Sequence, residues 1–271
     1  MQQKEKIKLA LVTGGSSGIG WAIARELAEK NHSLLLVSNQ AEQLEKCKTE
    51  IEKKFPLKCF VLNIDLTGTS SAQKIIDFCY AQNFEVEILV NNAGILVFSE
   101  AVDTPVEKTN AILQLHVYTP TMLCCLFGAE MKKRKSGFIL NVSSISSAMP
   151  YPGISLYGPT KTYMRYFSRA LRTEMKRHRV SVTCLIPGAT ETALYDPKRV
   201  NILLAKKIGV MHTAEFVASK AVRAMLNKKA ECIPGIMNKL VVWFVPFIPA
   251  VIIELVNRKT NLLNKGTQSL G

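Results

Sequence analysis

Three residues in the second half of the chain have the types and spacing needed for proton transfer at a carbon–oxygen group. Tyr157 and Lys161 are four positions apart, so on a helix their side chains lie on one face. The pKa of free tyrosine is about 10, and a neighbouring ammonium group favours the phenolate. Tyr157 is therefore a candidate general acid and base near neutral pH. Ser144 follows an apolar run, where its hydroxyl could hold a substrate carbonyl oxygen.

Near the start of the chain, a glycine-rich segment has the pattern of a phosphate-binding turn. The segment TGGSSGIG at residues 13–20 follows a short apolar run and leads directly into a helical pattern. Glycines let the backbone approach a pyrophosphate closely, and a helix N-terminus supplies free N–H groups with partial positive charge. We therefore predict a dinucleotide site formed by Thr13, Gly14, Ser16, Ser17, Gly18, Ile19 and Gly20.

Short apolar runs alternate with helical patterns, and together they must position these residues. The predicted strands are 8–12, 33–37, 59–64, 87–90, 138–142 and 180–186. The predicted helices are 18–30, 40–54, 70–82, 106–133 with an interruption near Pro120, and 155–176. Continuously apolar strands separated by helices are typical of a parallel sheet covered on both faces. The sequence predicts an α/β fold, a doubly wound, Rossmann-like parallel sheet with helices on both faces, in one domain over residues 1–271.

The pattern changes after about residue 190. A variable lobe is predicted over about 190–230, with helices at 192–209 and 213–227. It is followed by an apolar tail over about 233–260, which is predicted to be a C-terminal apolar helical segment. Residues 240–256 are strongly apolar but contain Pro246, Pro249 and Glu254, so they are too short and too broken to span a membrane. Three interpretations stay open: core packing within the domain or against a second subunit, a wall or lid of a lipid-sized pocket, and attachment at a membrane surface.

The charge and cysteine content exclude several classes of protein. Lys and Arg number 35 against 21 Asp and Glu, a formal net charge of +14. The basic clusters at 132–135 and 176–179 end predicted helices, where cations complement the helix dipole, and no nucleic-acid-binding signature accompanies them. Seven scattered cysteines with four histidines predict no metal site and a reducing compartment. We expect a cytoplasmic protein with no nucleic-acid partner, and with peripheral membrane contact as one option for its positive charge.

Five motifs in a fixed order give the sequence its family resemblance. TGGSSGIG, the run Asn91-Asn92-Ala93-Gly94, Ser144, the Tyr157/Lys161 pair and Pro187-Gly188 resemble the short-chain dehydrogenase/reductase family over residues 8–195. The segments GFILNVSS and YGPTKT, with the apolar tail, are most similar to the branch of very-long-chain 3-oxoacyl-CoA reductases, hydroxysteroid dehydrogenases and 3-ketosphinganine reductases. A non-catalytic nucleotide-binding regulator on the same fold is the alternative, but such proteins normally have a broken Tyr/Lys pair.

The resemblance implies a function and a role for each matched position. It implies hydride transfer between a nicotinamide dinucleotide and a hydrophobic oxo or hydroxy substrate, carried out by a homo-oligomer. Tyr157 would protonate the carbonyl oxygen, Lys161 would bind the nicotinamide ribose and lower the tyrosine pKa, and Ser144 would steady the oxygen. Further cofactor contacts are implied for Asp65 and Leu66 at the adenine, for Asn91, Ala93 and Gly94 along the groove, and for Pro187, Gly188, Thr190 and Thr192 at the carboxamide.

Two positions depart from the family pattern. His116 occupies the place of a catalytic asparagine that holds a water in the proton relay, and a histidine could hold that water or move protons itself. At the end of the second predicted strand, Ser38 and Asn39 stand where relatives that prefer NAD place an acidic residue. Because no acid is present there to repel a 2′-phosphate, we predict NADP as the cofactor, with NAD as the alternative.

Overall fold

The computed structural model describes residues 5–191, 209, 211–249, 251, 252 and 254, and its centre is a parallel sheet of seven strands. The strands of this sheet are β1 (Ile7–Thr13), β2 (Leu34–Ser38), β3 (Cys59–Asn63), β4 (Phe84–Asn91), β5 (Gly137–Val142), β6 (Val180–Leu185) and β9 (Glu231–Cys232). Strands β7 (Ala189–Thr190) and β8 (Met211–His212) form a separate pair. Their order is β3-β2-β1-β4-β5-β6-β9. The order reverses between β1 and β4, and a crevice opens at such a switch point.

Helices cover both faces of the sheet. They are α1 (Gly18–Ala28), α2 (Ala41–Lys54), α3 (Ser71–Ala81), α4 (Val106–Leu113), α5 (Thr119–Arg134), α6 (Tyr157–Lys176), α7 (Ala214–Leu226) and α8 (Ile236–Phe244). Buried residues of α1, α2 and α7 pack on one face, and those of α3, α5 and α6 on the other. The predicted doubly wound fold is confirmed.

Strand β1 shows why the predicted strands are continuously apolar. Successive side chains of a strand point to opposite faces of the sheet. Leu9 and Leu11 accordingly belong to one core cluster, and Ala10 and Val12 to the other, and all four are at most 1% exposed. Because both faces are covered, neither set of side chains can be polar.

A π-helical turn at Gln114–Tyr118 joins α4 to α5. The sequence predicted an interruption near Pro120, which lies in the first turn of α5. Proline has no N–H group, so Pro120 cannot donate to the carbonyl of His116 four residues earlier, and regular α-helix is not maintained there. Together, Val106–Arg134 form 29 helical residues that are long and apolar enough to cross a membrane by length and composition. Leu123, Phe127 and Met131 are buried in the sheet core, as in a core helix of an α/β protein.

The other boundaries agree with the predictions to within a few residues, with three exceptions. Strand β4 begins at Phe84 rather than at residue 87, and the sequence did not predict β9 or the β7–β8 pair. The helix predicted over 192–209 lies outside the described residues except for Gly209, whereas the one predicted over 213–227 is α7. In the apolar tail, α8 already begins at Ile236, ends at Phe244, and is followed by a short 3₁₀ turn at Val245–Phe247.

Candidate active site

The glycine-rich loop connects β1 to the N-terminus of α1. Gly14 and Gly18 have φ angles of +62° and +54°, in the left-handed region that favours glycine. A Cβ atom on Gly20 would collide with the carbonyl oxygen of Gly14, so the first turn of α1 packs against the loop itself. Ser17 stands at the N-cap position without a side-chain hydrogen bond to the helix, so its hydroxyl does not satisfy the N–H groups of the first turn. The loop therefore has the form that a pyrophosphate group requires.

Asn92 and Thr13 fix this loop to the end of β4. The Asn92 side chain donates to the carbonyl oxygens of Thr13 and Gly14 at 3.0 and 3.2 Å. The Thr13 hydroxyl accepts from the Asn92 N–H at 2.9 Å and donates to the Val90 carbonyl at 3.2 Å. The preceding Asn91 is buried, and its side chain donates to Oδ1 of Asn141 at 2.9 Å in β5. Asn91 therefore stabilises the sheet, and the neighbouring Asn92 faces the cleft.

A cleft of about 390 Å³ runs along the carboxyl ends of the strands, within the usual size range of ligand sites. Most of the predicted residues line it: Gly14, Ser16, Ser17, Gly18, Ile19, Ser38, Asn39, Asp65, Leu66, Ala93, Gly94, Ser144, Tyr157, Lys161, Pro187, Gly188 and Thr190. The sequence interpretation missed Gln40, Ile64, Thr67, Asn92, Ile95, Leu115, Val142 and Ser143. Thr13, Gly20, Asn91 and His116 lie behind its wall, and Thr192 lies outside the described residues.

Tyr157 and Lys161 lie together at one end of the cleft. Tyr157 is the first residue of α6, and Lys161 follows one turn later. The Lys161 ammonium donates to the Val142 carbonyl at 3.2 Å and lies 5.6 Å from the centre of the Tyr157 ring. Burial lowers the pKa of Lys161 to about 8, because a buried ammonium lacks the solvation it has in water.

The serines after β5 place polar groups beside this pair. Ser144 Oγ accepts from the Ser146 N–H at 3.2 Å at the start of a short 3₁₀ turn. A hydroxyl that accepts in this way keeps its own hydrogen available for a substrate oxygen. Ser143 donates to the Lys161 carbonyl at 2.7 Å, which ties the end of β5 to α6. Tyr157, Lys161 and Ser144 all line the cleft.

His116 lies directly behind the Tyr157 ring and is 1% exposed. The two rings meet edge to face, with their centres 5.5 Å apart. Nε2 accepts from the Ile95 N–H at 3.0 Å, and Nδ1 lies 3.0 Å from the Thr160 hydroxyl. Burial and the nearby Lys161 charge hold the pKa of His116 well below its usual value. Both ring nitrogens therefore have protein partners.

A small cavity of about 10 Å³ lies between Lys161 and the π-helical turn, which is room for a single water molecule. Its walls include the side chains of Thr13, Asn91, His116, Pro120 and Lys161. The His116 carbonyl, which Pro120 leaves without its α-helical donor, belongs to this turn. The cavity lies beside Lys161 and residue 116, the position to which the family resemblance assigned a relay water.

Polar side chains line the rest of the cleft, and Asp65 is the acidic one among the described residues that line it. The Ser16 hydroxyl lies 2.9 Å from Ser38 Oγ and 3.2 Å from Gln40 Oε1, and Ser38 Oγ accepts from the Gln40 N–H. The Asp65 carboxylate accepts from the N–H and the hydroxyl of Thr67, both at 2.9 Å. Its two oxygens are therefore bonded within its own loop.

A cleft at the switch point of a doubly wound sheet, lined by a buried Tyr/Lys pair, is the arrangement found in nicotinamide-dependent oxidoreductases. The short chain dehydrogenase family matches residues 8–202, and the chain belongs to this family. The glycines of the loop, and the Thr13 and Asn92 side chains that hold it in place, fit such a cofactor. When bound, the cofactor would supply or accept hydride.

Individual relatives agree with this assignment. The chain is 30% identical to human 17-beta-hydroxysteroid dehydrogenase type 3 over 197 residues, 72% of this chain and 63% of that protein. It is 31% identical to the very-long-chain 3-oxoacyl-CoA reductase of Bos taurus over 197 residues, 70% of this chain and 62% of that protein. A short-chain dehydrogenase from Sphingobium yanoikuyae, solved in complex with NADPH, has a TM-score of 0.76 at 22% identity and covers 97% of this chain and 98% of its own. The chain thus spans less than two thirds of the length of the two animal relatives.

Proposed function

We propose that this protein reduces a hydrophobic ketone to a secondary alcohol, with NADPH as the hydride source. The observation that carries the proposal is that Tyr157, Lys161 and Ser144 all line the cleft, with the Lys161 ammonium 5.6 Å from the centre of the Tyr157 ring. As the carbonyl carbon accepts hydride, the Tyr157 hydroxyl gives its proton to the carbonyl oxygen, and Ser144 donates a hydrogen bond to the same oxygen. The Lys161 ammonium stabilises the resulting phenolate. One ketone, one hydride from NADPH and one proton from Tyr157 thereby become one alcohol, which leaves NADP⁺ and a phenolate that regains its proton from solvent.

The chemistry at the adenosine end supports NADPH over NADH. Ser16, Ser38, Asn39 and Gln40 bring neutral hydrogen-bonding groups to the cleft, and the Asp65 carboxylate, which also lines it, accepts from Thr67. A 2′-phosphate would meet hydroxyl and amide donors there rather than a carboxylate. Titration of the purified protein with each dinucleotide, followed by cofactor fluorescence, tests this directly. Tighter binding of NADH than of NADPH would contradict the proposal.

A long-chain or polycyclic oxo substrate is proposed from the apolar tail and from the relatives. The human and bovine relatives are a 17-beta-hydroxysteroid dehydrogenase and a very-long-chain 3-oxoacyl-CoA reductase. In this chain, α8 packs through Val242 on the 3₁₀ turn that follows Ser144. An apolar segment thus lies close to the end of the cleft where the substrate would enter.

The experiment compares acetoacetyl thioester with long-chain 3-oxoacyl thioesters and with oxo-steroids, all with NADPH. We expect kcat/KM to rise with the apolar size of the substrate, since burial contributes about 0.8 kcal/mol per CH₂ group. Equal specificity constants for the short and long thioesters would overturn the proposed substrate class. The reductase chemistry itself would survive that result, because it is measured by turnover of any ketone.

Cytoplasmic location with peripheral membrane contact is proposed from the outer face of α8. Ile236, Trp243, Phe244 and Phe247 are 79%, 67%, 63% and 82% exposed. Trp and Phe favour the headgroup region of a bilayer, and the nearby Lys220 and Lys239 could meet anionic lipids. Only Asn238 and Val242 of this helix are buried. The other described residues therefore cover one side of the helix and leave its apolar outer side exposed.

Flotation with vesicles containing phosphatidylserine tests this contact. The double variant Trp243→Ser/Phe247→Ser should lose vesicle binding, whereas Val102→Ser, an equally exposed apolar residue elsewhere, should keep it. Salt or carbonate should release the protein from membranes. Release by detergent alone, or a wild type that fails to float, would contradict peripheral attachment, and loss of a dimer in the double variant would assign the face to a second copy.

A homo-oligomer is proposed from the outer surface of α5 and α6. Tyr163 stacks on Phe167 there, and Tyr118 and Tyr166 are 42% and 64% exposed. Aromatic side chains of this kind are enriched at protein interfaces. Light scattering after gel filtration measures the mass, and a value of one chain at micromolar concentration would contradict the proposal.

A further inference from the structure

The buried ring of His116 connects the two walls of the reaction end of the cleft. Its Nε2 contacts the backbone of Ile95, and its Nδ1 contacts Thr160, which lies on α6 between Tyr157 and Lys161. Thr160 is 4% exposed, and its hydroxyl donates to the Tyr157 carbonyl at 2.7 Å. Ile95, Tyr157 and Lys161 all line the cleft. A chain of three hydrogen bonds therefore runs from the loop after β4 to the first residue of α6.

The chemistry of the partners fixes the direction of each bond. A backbone N–H can only donate, so Nε2 of His116 must be the unprotonated acceptor for Ile95. A neutral ring then carries its hydrogen on Nδ1 and donates it to Thr160 Oγ1, whose own hydrogen is directed at the Tyr157 carbonyl. Protonating Nε2 would set two N–H groups against each other. The ring is therefore held as one neutral tautomer.

We propose that His116 and Thr160 act as a positioning link that sets the place of Tyr157 relative to the Ile95 loop. The His116 ring neither gains nor loses a proton during turnover. This inference rests on the proposed role of Tyr157 as the acid. It assigns His116 a task different from that of a proton shuttle, because a shuttle needs a nitrogen that can exchange its hydrogen with the cleft. It also gives Thr160 a role that the sequence alone did not indicate.

The link explains what the histidine adds to this position. An asparagine at residue 116 has a carbonyl oxygen that could accept from Ile95. Its oxygen and nitrogen both branch from Cγ, so neither extends as far from the backbone as Nε2 of histidine while the other contacts Thr160. The histidine ring has nitrogens on two sides and so contacts Ile95 and Thr160 at once. The neighbouring Gly94 leaves space for the ring, because a Cβ there would lie 3.0 Å from Nε2.

The first test uses Thr160, whose variants differ by single groups. Thr160→Ser keeps the hydroxyl and should turn over like the parent. Thr160→Val keeps the shape, loses both hydrogen bonds, and should lower kcat about tenfold, the scale of one lost hydrogen bond, with NADPH binding unchanged. Parental turnover by Thr160→Val would overturn the proposal, and so would equal losses in Thr160→Ser and Thr160→Val.

The second test uses His116→Asn alone and combined with Thr160→Val. If the two residues form one link, the double variant should be no slower than the slower single variant. The pH profile of kcat/KM should keep its midpoints in His116→Asn, because no titrating group has been removed. Multiplicative losses, or the disappearance of one limb of the profile, would assign His116 an independent proton-transfer role and overturn the proposal.

The third test does not depend on activity. Nitrogen-15 NMR of the histidine rings, assigned by comparison with His116→Asn, should show one neutral ring with hydrogen on Nδ1 from about pH 5 to pH 9. Titration of that ring in this range, or hydrogen on Nε2, would overturn the inference. Failure of the proposed reductase function would instead appear as absent turnover with the tautomer unchanged.

Discussion

Lys161 places its ammonium nitrogen 5.6 Å from the centre of the Tyr157 ring, and both side chains are buried, at 5% and 8% exposure. A charge this close to the ring and away from water acts with little screening. The electrostatics of the site therefore depend on whether this one amine is protonated, and the prediction on pH below follows from that dependence.

Replacing Tyr157 with phenylalanine should remove the proton donor and leave the cleft intact. We expect turnover to fall by about 10²- to 10⁴-fold, the usual range for general acid catalysis, while NADPH still binds. Tyr163→Phe is the matched control, because Tyr163 lies on the same helix and its hydroxyl contacts Thr121 instead. Turnover of Tyr157→Phe near the parent rate, measured by NADPH oxidation, would show that another group donates the proton.

Ketone reduction should weaken in mildly alkaline solution. Burial lowers the pKa of Lys161 to about 8, so its positive charge is present below this pH and is lost above it. We therefore expect kcat/KM for reduction to decrease as the pH rises through about 8, since this constant reports the groups of the free enzyme. Lys161→Arg keeps its charge to far higher pH and should move the decrease upward. An unchanged midpoint in Lys161→Arg would assign the decrease to a different group.

Cofactor choice should reverse when an acid is placed at the adenosine end of the cleft. Asn39 is exposed, lines the cleft and is isosteric with aspartate, whereas Ser38 is 7% exposed and bonded to Ser16. We expect Asn39→Asp to weaken NADPH binding about tenfold through repulsion of the 2′-phosphate, and to leave NADH binding unchanged. Parallel fluorescence titrations measure both constants. Equal weakening of the two would indicate a damaged site rather than charge repulsion.

The edge strand β9 should depend on a half-buried ion pair for part of its stability. Arg165 on α6 donates to both oxygens of Glu231 at 2.9 and 3.0 Å, and the two side chains are 16% and 24% exposed. Arg165→Met should lower the free energy of unfolding by about 2 kcal/mol. The exposed pair Lys8 and Glu87 is the control, and Lys8→Met should cost less than about 1 kcal/mol. Equal losses in denaturant unfolding would contradict this difference.

Most of the candidate site residues could be predicted from the sequence because they belong to short motifs of neighbouring residues. A glycine turn between a strand and a helix, or a tyrosine and a lysine one turn apart, defines its geometry within a few residues. The contacts of Asn92 and Thr160 depend instead on which segments meet across the fold. Asn91 and Asn92 are adjacent amides, and only the end of β4 decides which one faces the glycine loop and which one faces Asn141.

The apolar tail shows a second limit of composition. Strong hydrophobicity over 240–256 indicated that the segment avoids water, but it did not say what would cover it. In the structure α8 buries Val242 and leaves Trp243 and Phe244 outside. Strand β9 escaped prediction because it has only two residues, too few for any periodic pattern.

The π-helical turn at Gln114–Tyr118 makes the position of residue 116 depend on the number of residues between α4 and α5. A π-turn holds one residue more than an α-helical turn of the same span, so it absorbs an insertion without rotating the helices on either side. Deleting a single residue there would leave α4 and α5 on their present faces while withdrawing residue 116 from Ile95 and Thr160. The scaffold would survive such a deletion, whereas the contacts of residue 116 with Ile95 and Thr160 would not.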